Sequence, residues 1–207
     1  MIDKIDFDEG EGTEARYKIL QEYNQMIQEK ITIEKPMKVV MDCGNAAGAI
    51  NAPDVFKSLG VELKELFCEP DGTFPNHHPD PTVEDNLKDL IAEMRTGQYD
   101  VGIAFDGDAD RVGIVDETGD IIWADQLMAL FLPEIIDEGE DILFDVKCSQ
   151  ALEDMINRYG GNPIMWKTGH SLIKQKMSEL SCKLGGEMSG HIFFADDYYG
   201  YDDALYV

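Results

Sequence analysis

Positive charge is scarce in this chain, with 17 lysines and arginines against 42 aspartates and glutamates and a formal net charge of −25. No long basic run interrupts that balance. It excludes an electrostatic nucleic-acid-binding face and favours solubility and the binding of cations. Cysteine is sparse too. Cys43, Cys68, Cys148 and Cys182 form no CxxC pair, which argues against a zinc knuckle or a disulfide framework and leaves reduced thiols in a cytosol as the default. No apolar run reaches membrane-spanning length, and the segment from Ile2 to Gly12 is acidic rather than basic-then-apolar, so it does not read as a signal peptide. Nor does the glycine spacing of GNAAG (44–48) fit a P-loop or a dinucleotide fingerprint; it reads as a packing turn. The expectation is a soluble, cytoplasmic protein with no nucleic-acid or membrane partner.

What is present is an internal repeat. With 207 residues the chain can form one large domain or two small ones. Thr13 to Lys30 carries apolar residues at helical spacing and predicts an amphipathic helix. MKVVMD (37–42) is a buried-strand run, the following turn leads into a helix closed by Gly60, and residues 61–67 alternate as a strand. The plan recurs further on. A strand ends at Asp145, a helix covers about 151–159 and closes at Gly160 and Gly161, and a strand follows at 163–166. In both units an aspartate ends the first strand and a cysteine follows within three residues. Two similar α/β domains in tandem, each a small mixed sheet flanked by helices, are the economical reading, with 1–122 and 123–207 as the units.

Between the repeats lies VGIAFDGDADRVGIVDETGD (101–120). Residues 99–105 read as a strand, and the segments around Gly119 read as a hairpin, so Asp106 to Asp110 form a loop between strands. If that loop is extended, Asp106, Asp108 and Asp110 share one side. Three carboxylates so close raise one another's pKa unless a cation neutralises them, and an all-oxygen set suits Mg²⁺. Two alternatives compete. The spacing also fits an EF-hand loop with Glu117 at its twelfth position, but position six is Arg111 instead of glycine and a strand leads in. The other alternative is a solvated acidic turn. His77 and His78 are flanked by Pro75, Pro79 and Pro81 in a stiff loop without a nearby cysteine, which favours a structural or interfacial role over metal ligation.

At these residues the chain resembles the α-D-phosphohexomutases, in particular the phosphomannomutase/phosphoglucomutase group. The resemblance rests on DCGNAAG (42–48), FPNHHPDP (74–81), FDGDADRVGIVDETG (105–119), WADQLMALF (123–131), DVKCSQAL (145–152), WKTGHSLIK (166–174), GGEMSGHIFF (185–194) and YYGYDDALY (198–206). Ala46 departs from the family's usual glycine, and Met188 matches this group better than the phosphoglucosamine mutases. Family members have four domains, and this chain is similar to the second and third, with DDALYV opening the third domain's last helix. The resemblance implies a phosphoserine that gives its phosphoryl group to a hexose 1- or 6-phosphate of mannose or glucose, through a bisphosphorylated intermediate. It implies Mg²⁺ on Asp106, Asp108 and Asp110, and Arg111 beside the transferring group. Glu187 and Ser189 fall on the sugar hydroxyls, Lys147 and His170 face the substrate, and His191 is a proton carrier or hydroxyl contact. No serine stands in a TASHNP-type context, and no candidate exists for the fourth domain's phosphate loop. The expectation is therefore part of a mutase that is inactive without its first and fourth domains. The alternative is a non-catalytic sugar-phosphate or metal-binding module.

Overall fold

The structure, a computed structural model, describes residues 10–207. Helix α1 (Ile19–Lys30) leads into β1 (Lys38–Asp42), α2 (Ala52–Ser58), β2 (Glu62–Leu66), α3 (Lys88–Met94), β3 (Val101–Phe105), β4 (Val112–Val115) and β5 (Ile121–Ile122). The second half runs α4 (Ala124–Ile135), β6 (Asp141–Asp145), α5 (Gln150–Arg158), β7 (Asn162–Trp166), α6 (His170–Leu180), β8 (Leu184–Gly186) and β9 (Ile192–Phe194). The first sheet has the order β2-β1-β3-β4-β5 and the second β7-β6-β8-β9. In each, the first strand pairs in parallel with the next two, and an antiparallel strand follows. The two sheets are thus the same mixed α/β plan used twice, the first extended by a hairpin strand. Parallel pairs need crossover helices, and α2 with α3 and α5 with α6 supply them.

Alternation along the central strands sets the layers. Met41 faces the core shared with Phe105, Met128, Ile142 and Phe144, and that core runs unbroken across both halves. Val40 points the other way, into a cluster under α3 with Leu87, Leu90 and Met94. Leu143 does the same under α6, with Ile173, Met177 and Phe193. Each fully buried side chain of this size stabilises the fold by roughly 2 kcal/mol. Gly185 and Gly186 let helices close on β8 from both faces: a Cβ on them would lie 2.5 Å from Met177 Sδ and 2.6 Å from Met128 Sδ, respectively.

Three sequence expectations change. The first helix starts at Ile19, not Thr13, because nothing among the described residues covers its outer turn; Tyr17, Ile19 and Leu20 stay exposed. Helices α3, α4 and α6 and strands β8 and β9 fall in segments to which sequence periodicity assigned no element. The DDALYV segment makes a single hydrogen-bonded turn, with Tyr206 N and Val207 N both donating to Asp203 O. That turn is tied back to the fold, since Asp203 accepts from Tyr23 Oη of α1 at 2.8 Å and from Leu205 N at 3.1 Å.

Candidate functional site

Both parallel sets of strands end on one edge, and the loops there carry the polar residues that sequence analysis selected. The Asp106–Asp110 loop is not extended. Ala109 has a left-handed φ of 60°, and the loop is pinned at its base, where Asp106 N donates to Arg111 O. Asp106 is buried and braces the curl from inside: Oδ1 accepts Asp110 N and Arg111 N, both at 3.1 Å, and Oδ2 accepts Arg111 Nε at 2.7 Å. The three carboxylates still converge, with one oxygen of each within 4.8 Å of the others, so a curl replaces the alternation expected. Their crowding has an electrostatic cost. Burial and then the charge of Asp106 push Asp110 up to about 6. All donors are oxygens on a partly exposed loop, which fits a hard divalent cation that keeps positions open for other ligands. Glu117 sits exposed at the hairpin tip and is not one of the converging carboxylates, so the EF-hand arrangement does not form.

Arg111 joins this loop to the proline loop. Nε meets Asp106, and Nη1 lies 3.1 Å from Asp80 Oδ1, a carboxylate that also accepts Thr82 N and Thr82 Oγ1. Two carboxylates thus fix the guanidinium plane and engage Nε and Nη1. The proline loop packs back on the end of β1: His77 Nε2 contacts buried Asp42 at 3.0 Å, and Pro79 packs on Gly44. GNAAG is likewise a packing turn. Asn45 N goes to Phe67 O, Ala46 N to Cys43 O and Ala47 N to Gly107 O, leaving these amides engaged internally.

The second group sits on the turn between β8 and β9. Glu187 N donates to His191 O and Gly190 N to Glu187 O, closing the turn. The Glu187 carboxylate is buried, accepts Gly169 N in a short hydrogen bond and takes Ser189 Oγ at 3.2 Å. It is held rigid, and each oxygen still has a lone pair for another donor. His191 stacks on His170, ring centroids 5.6 Å apart. Its Nδ1 lies 2.9 Å from Asp202 Oδ2, without hydrogen-bond alignment, and Lys174 Nζ donates to the other Asp202 oxygen at 2.7 Å. Burial opposes charge on His191, but the carboxylates of Asp202, Asp110 and Glu187 outweigh it and raise the imidazole above its usual value. Burial likewise works against the Asp202 charge, yet His191 and Lys174 hold that carboxyl well below the usual range.

The two groups meet. His191 Nδ1 is 3.7 Å from Asp110 Oδ1, Val112 N donates to Gly190 O at 3.2 Å, and Ala204 N donates to Ala109 O at 3.2 Å. Gly190 has a φ of 98°, and a Cβ there would lie 2.8 Å from Val112 O, so only glycine permits this approach. Lys147 is exposed on the same strand edge and makes no hydrogen bond or ion pair among the described residues. Sequence reasoning missed three braces: Asp80, Asp202 and Asp145. The last is fully buried and accepts Met188 N at 3.1 Å, Thr168 Oγ1 at 2.8 Å and Cys148 Sγ at 3.3 Å. Its signal was present, as the strand-ending aspartate of the repeat.

Tandem, like-ordered α/β domains whose strand-end loops set an acidic cation-type cluster against a Glu/Ser/His turn define a class of two-domain module built around one shared edge. The models of the phosphoglucomutase/phosphomannomutase α/β/α domains II and III match residues 21–119 and 123–207. The chain is 50% identical to a phosphomannomutase/phosphoglucomutase of Pseudomonas aeruginosa over 99% of its length, and 46% identical to a phosphoglucomutase of Neisseria meningitidis over 95%. A crystal structure of a phosphoglucomutase/phosphomannomutase family protein from Burkholderia thailandensis superposes with a TM-score of 0.94 at 46% identity, over 97% of this chain. The chain belongs to the phosphoglucomutase/phosphomannomutase family. It spans 45%, 43% and 44% of the lengths of these three proteins, respectively. Among the described residues no helix is long and apolar enough to cross a membrane.

Proposed function

We propose that this chain supplies the Mg²⁺-binding and sugar-binding loops of a cytoplasmic phosphohexomutase, an isomerase that interconverts the 1- and 6-phosphates of mannose or glucose. The observation that carries the reading is the junction of the two loops, with Asp110 and His191 facing each other across it. Asp106, Asp108 and Asp110 would hold Mg²⁺, which when bound neutralises charge on a transferring phosphoryl group. Arg111, fixed through Nε and Nη1, presents its remaining edge to a phosphate beside that loop. Glu187 and Ser189 take sugar hydroxyls, because burial and the Gly169 contact hold the carboxylate in one orientation. Lys147 and His170 bind the substrate from the same edge. His191 holds or moves a proton at its imidazole, with Asp202 anchoring the ring. The domains divide at Trp123, each bringing one of the two loops.

The phosphoserine donor and the clamp for the far phosphate belong, in this reading, to the first and fourth mutase domains, so the 207-residue chain alone does not turn over. Phosphoryl transfer gains most of its rate from holding donor and acceptor in line, and this half-site holds neither the donor nor the far phosphate. The test is reconstitution. Adding separately expressed first and fourth domains of a homologous mutase should restore conversion of glucose 1-phosphate. Failure with folded domains at high concentration would favour the alternative, a binding module without turnover. Turnover by the chain alone would mean that the nucleophile has been misplaced.

A further inference from the structure

Strands β1 and β2 end side by side, and a cysteine follows each. The ladder continues one step beyond β1, where Cys43 N donates to Leu66 O at 3.2 Å. Phe67 then takes a left-handed φ of 53°, an unusual conformation for an aromatic residue, and this turns Cys68 back towards β1. The two sulfurs lie 3.1 Å apart as free thiols. Their exposure differs. Cys43 is fully buried, whereas Cys68 is half-buried and lines a surface cavity of about 390 Å³ together with Asn45, Glu65, Phe67, Glu69 and Asn76. One sulfur is therefore open to a small solute, and the other lies behind it.

We propose that Cys43 and Cys68 are a reversible dithiol–disulfide switch, oxidised by hydrogen peroxide, that acts on the aspartate loop through the turn at residues 43–47. Cys68 sulfur attacks one peroxide oxygen, the O–O bond breaks, and one water leaves, giving a sulfenic acid on Cys68. Cys43 sulfur then displaces the hydroxyl from Cys68 sulfur and its thiol proton leaves with it as a second water. Two thiols are oxidised and one peroxide is reduced to two waters. Cys43 is fully buried while Cys68 lines the surface cavity, so Cys68 is the sulfur a peroxide reaches first.

The mechanical consequence follows from distance. A disulfide needs its sulfurs about 2.05 Å apart, so closure draws the two segments together by about 1 Å. Cys43 O accepts Ala46 N, Asn45 N donates to Phe67 O, and Ala47 N donates to Gly107 O inside the aspartate loop. A shift at Cys43 is thus passed to Gly107 over one short turn. Cys148 and Cys182 are buried free thiols, and neither makes a hydrogen bond to another cysteine among the described residues.

The experiment treats the full 207-residue chain with hydrogen peroxide and titrates thiols after denaturation. The expected count falls from four to two, peptide mapping finds Cys43 linked to Cys68, and dithiothreitol restores all four. Amide spectra of the oxidised chain should show Ala47 and Gly107 displaced. Cys68→Ser should retain its three remaining thiols under the same peroxide, and the Cys148→Ser/Cys182→Ser double variant should still form the link. Four thiols unchanged, a link to Cys148 or Cys182, or oxygen addition at Cys68 without a link would each overturn the proposal. So would a correct link that leaves the Gly107 amide unmoved, because the bond would then have no reach into the loop.

Discussion

Asp42 and Asp145 occupy the same place in two copies of one plan, at the end of the first strand of each sheet, and both are buried. Their partners differ. Asp42 accepts Gly44 N at 2.8 Å and meets an imidazole, His77, from the proline loop. Among the described residues Asp145 meets only neutral donors, and two of these, Thr168 Oγ1 and Met188 N, belong to the loop that leads into His170 and to the turn that carries Glu187. The repeated aspartate is a general brace for whatever crosses the strand end. In the first half it fixes a packing loop, and the converging carboxylates Asp106, Asp108 and Asp110 sit one strand over, after β3. In the second half it holds the Glu187–His191 turn directly, through Met188 N.

That contrast can be broken most severely at Asp145. Asp145→Ala removes three hydrogen bonds and strands the Met188 N–H, so a loss of about 3 kcal/mol is expected in denaturant unfolding. Asp145→Asn, which keeps an acceptor, should lose less. A loss below 1 kcal/mol for the alanine variant would remove the brace argument. Gly190→Ala comes next, because it places a Cβ against Val112 O at positive φ. About 2 kcal/mol is expected, and a retained native spectrum around Val112 would show that the two loops do not need the close approach.

For the aspartate loop, Asp108→Asn should weaken Mg²⁺ binding about tenfold in calorimetry, or about 1.4 kcal/mol, as one anionic oxygen is lost. Unchanged affinity would take the loop out of the metal site. His77 offers the smallest and sharpest test. Its hydrogen bond to Asp42 raises its pKa, so the pair's contribution is fully present below the unfolded value of about 6.5 and is lost as pH rises through the raised folded value. His77→Gln should therefore cost about 1 kcal/mol at pH 5.5 and little at pH 9. Equal losses at both values would mean that packing, not charge, holds the proline loop.

Residue types and local pattern alone determined much of this protein. The short apolar runs ending in aspartate marked β1, β3 and β6, the glycines closed α2 and α5, and the repeat gave two like domains. Asp106, Asp108 and Asp110 stood out because three carboxylates directly after a buried-strand run need a chemical reason, whereas Glu187 and His191 were marked only by the family resemblance of GGEMSGHIFF. Periodicity did not find α3 or the β8–β9 pair, where Gly185 and Gly186 leave β8 no apolar stripe to read. Nor could it tell that Asp106 is a brace with both oxygens already engaged while Asp110 faces His191. Only the tertiary structure decided which groups meet: Asp42 with His77, Asp145 with Met188, Arg111 with Asp80, Cys43 with Cys68. The physical reason is that strand order and register bring these residues together across long stretches of chain, and a pattern of period two or 3.6 carries no information about which strand lies beside which.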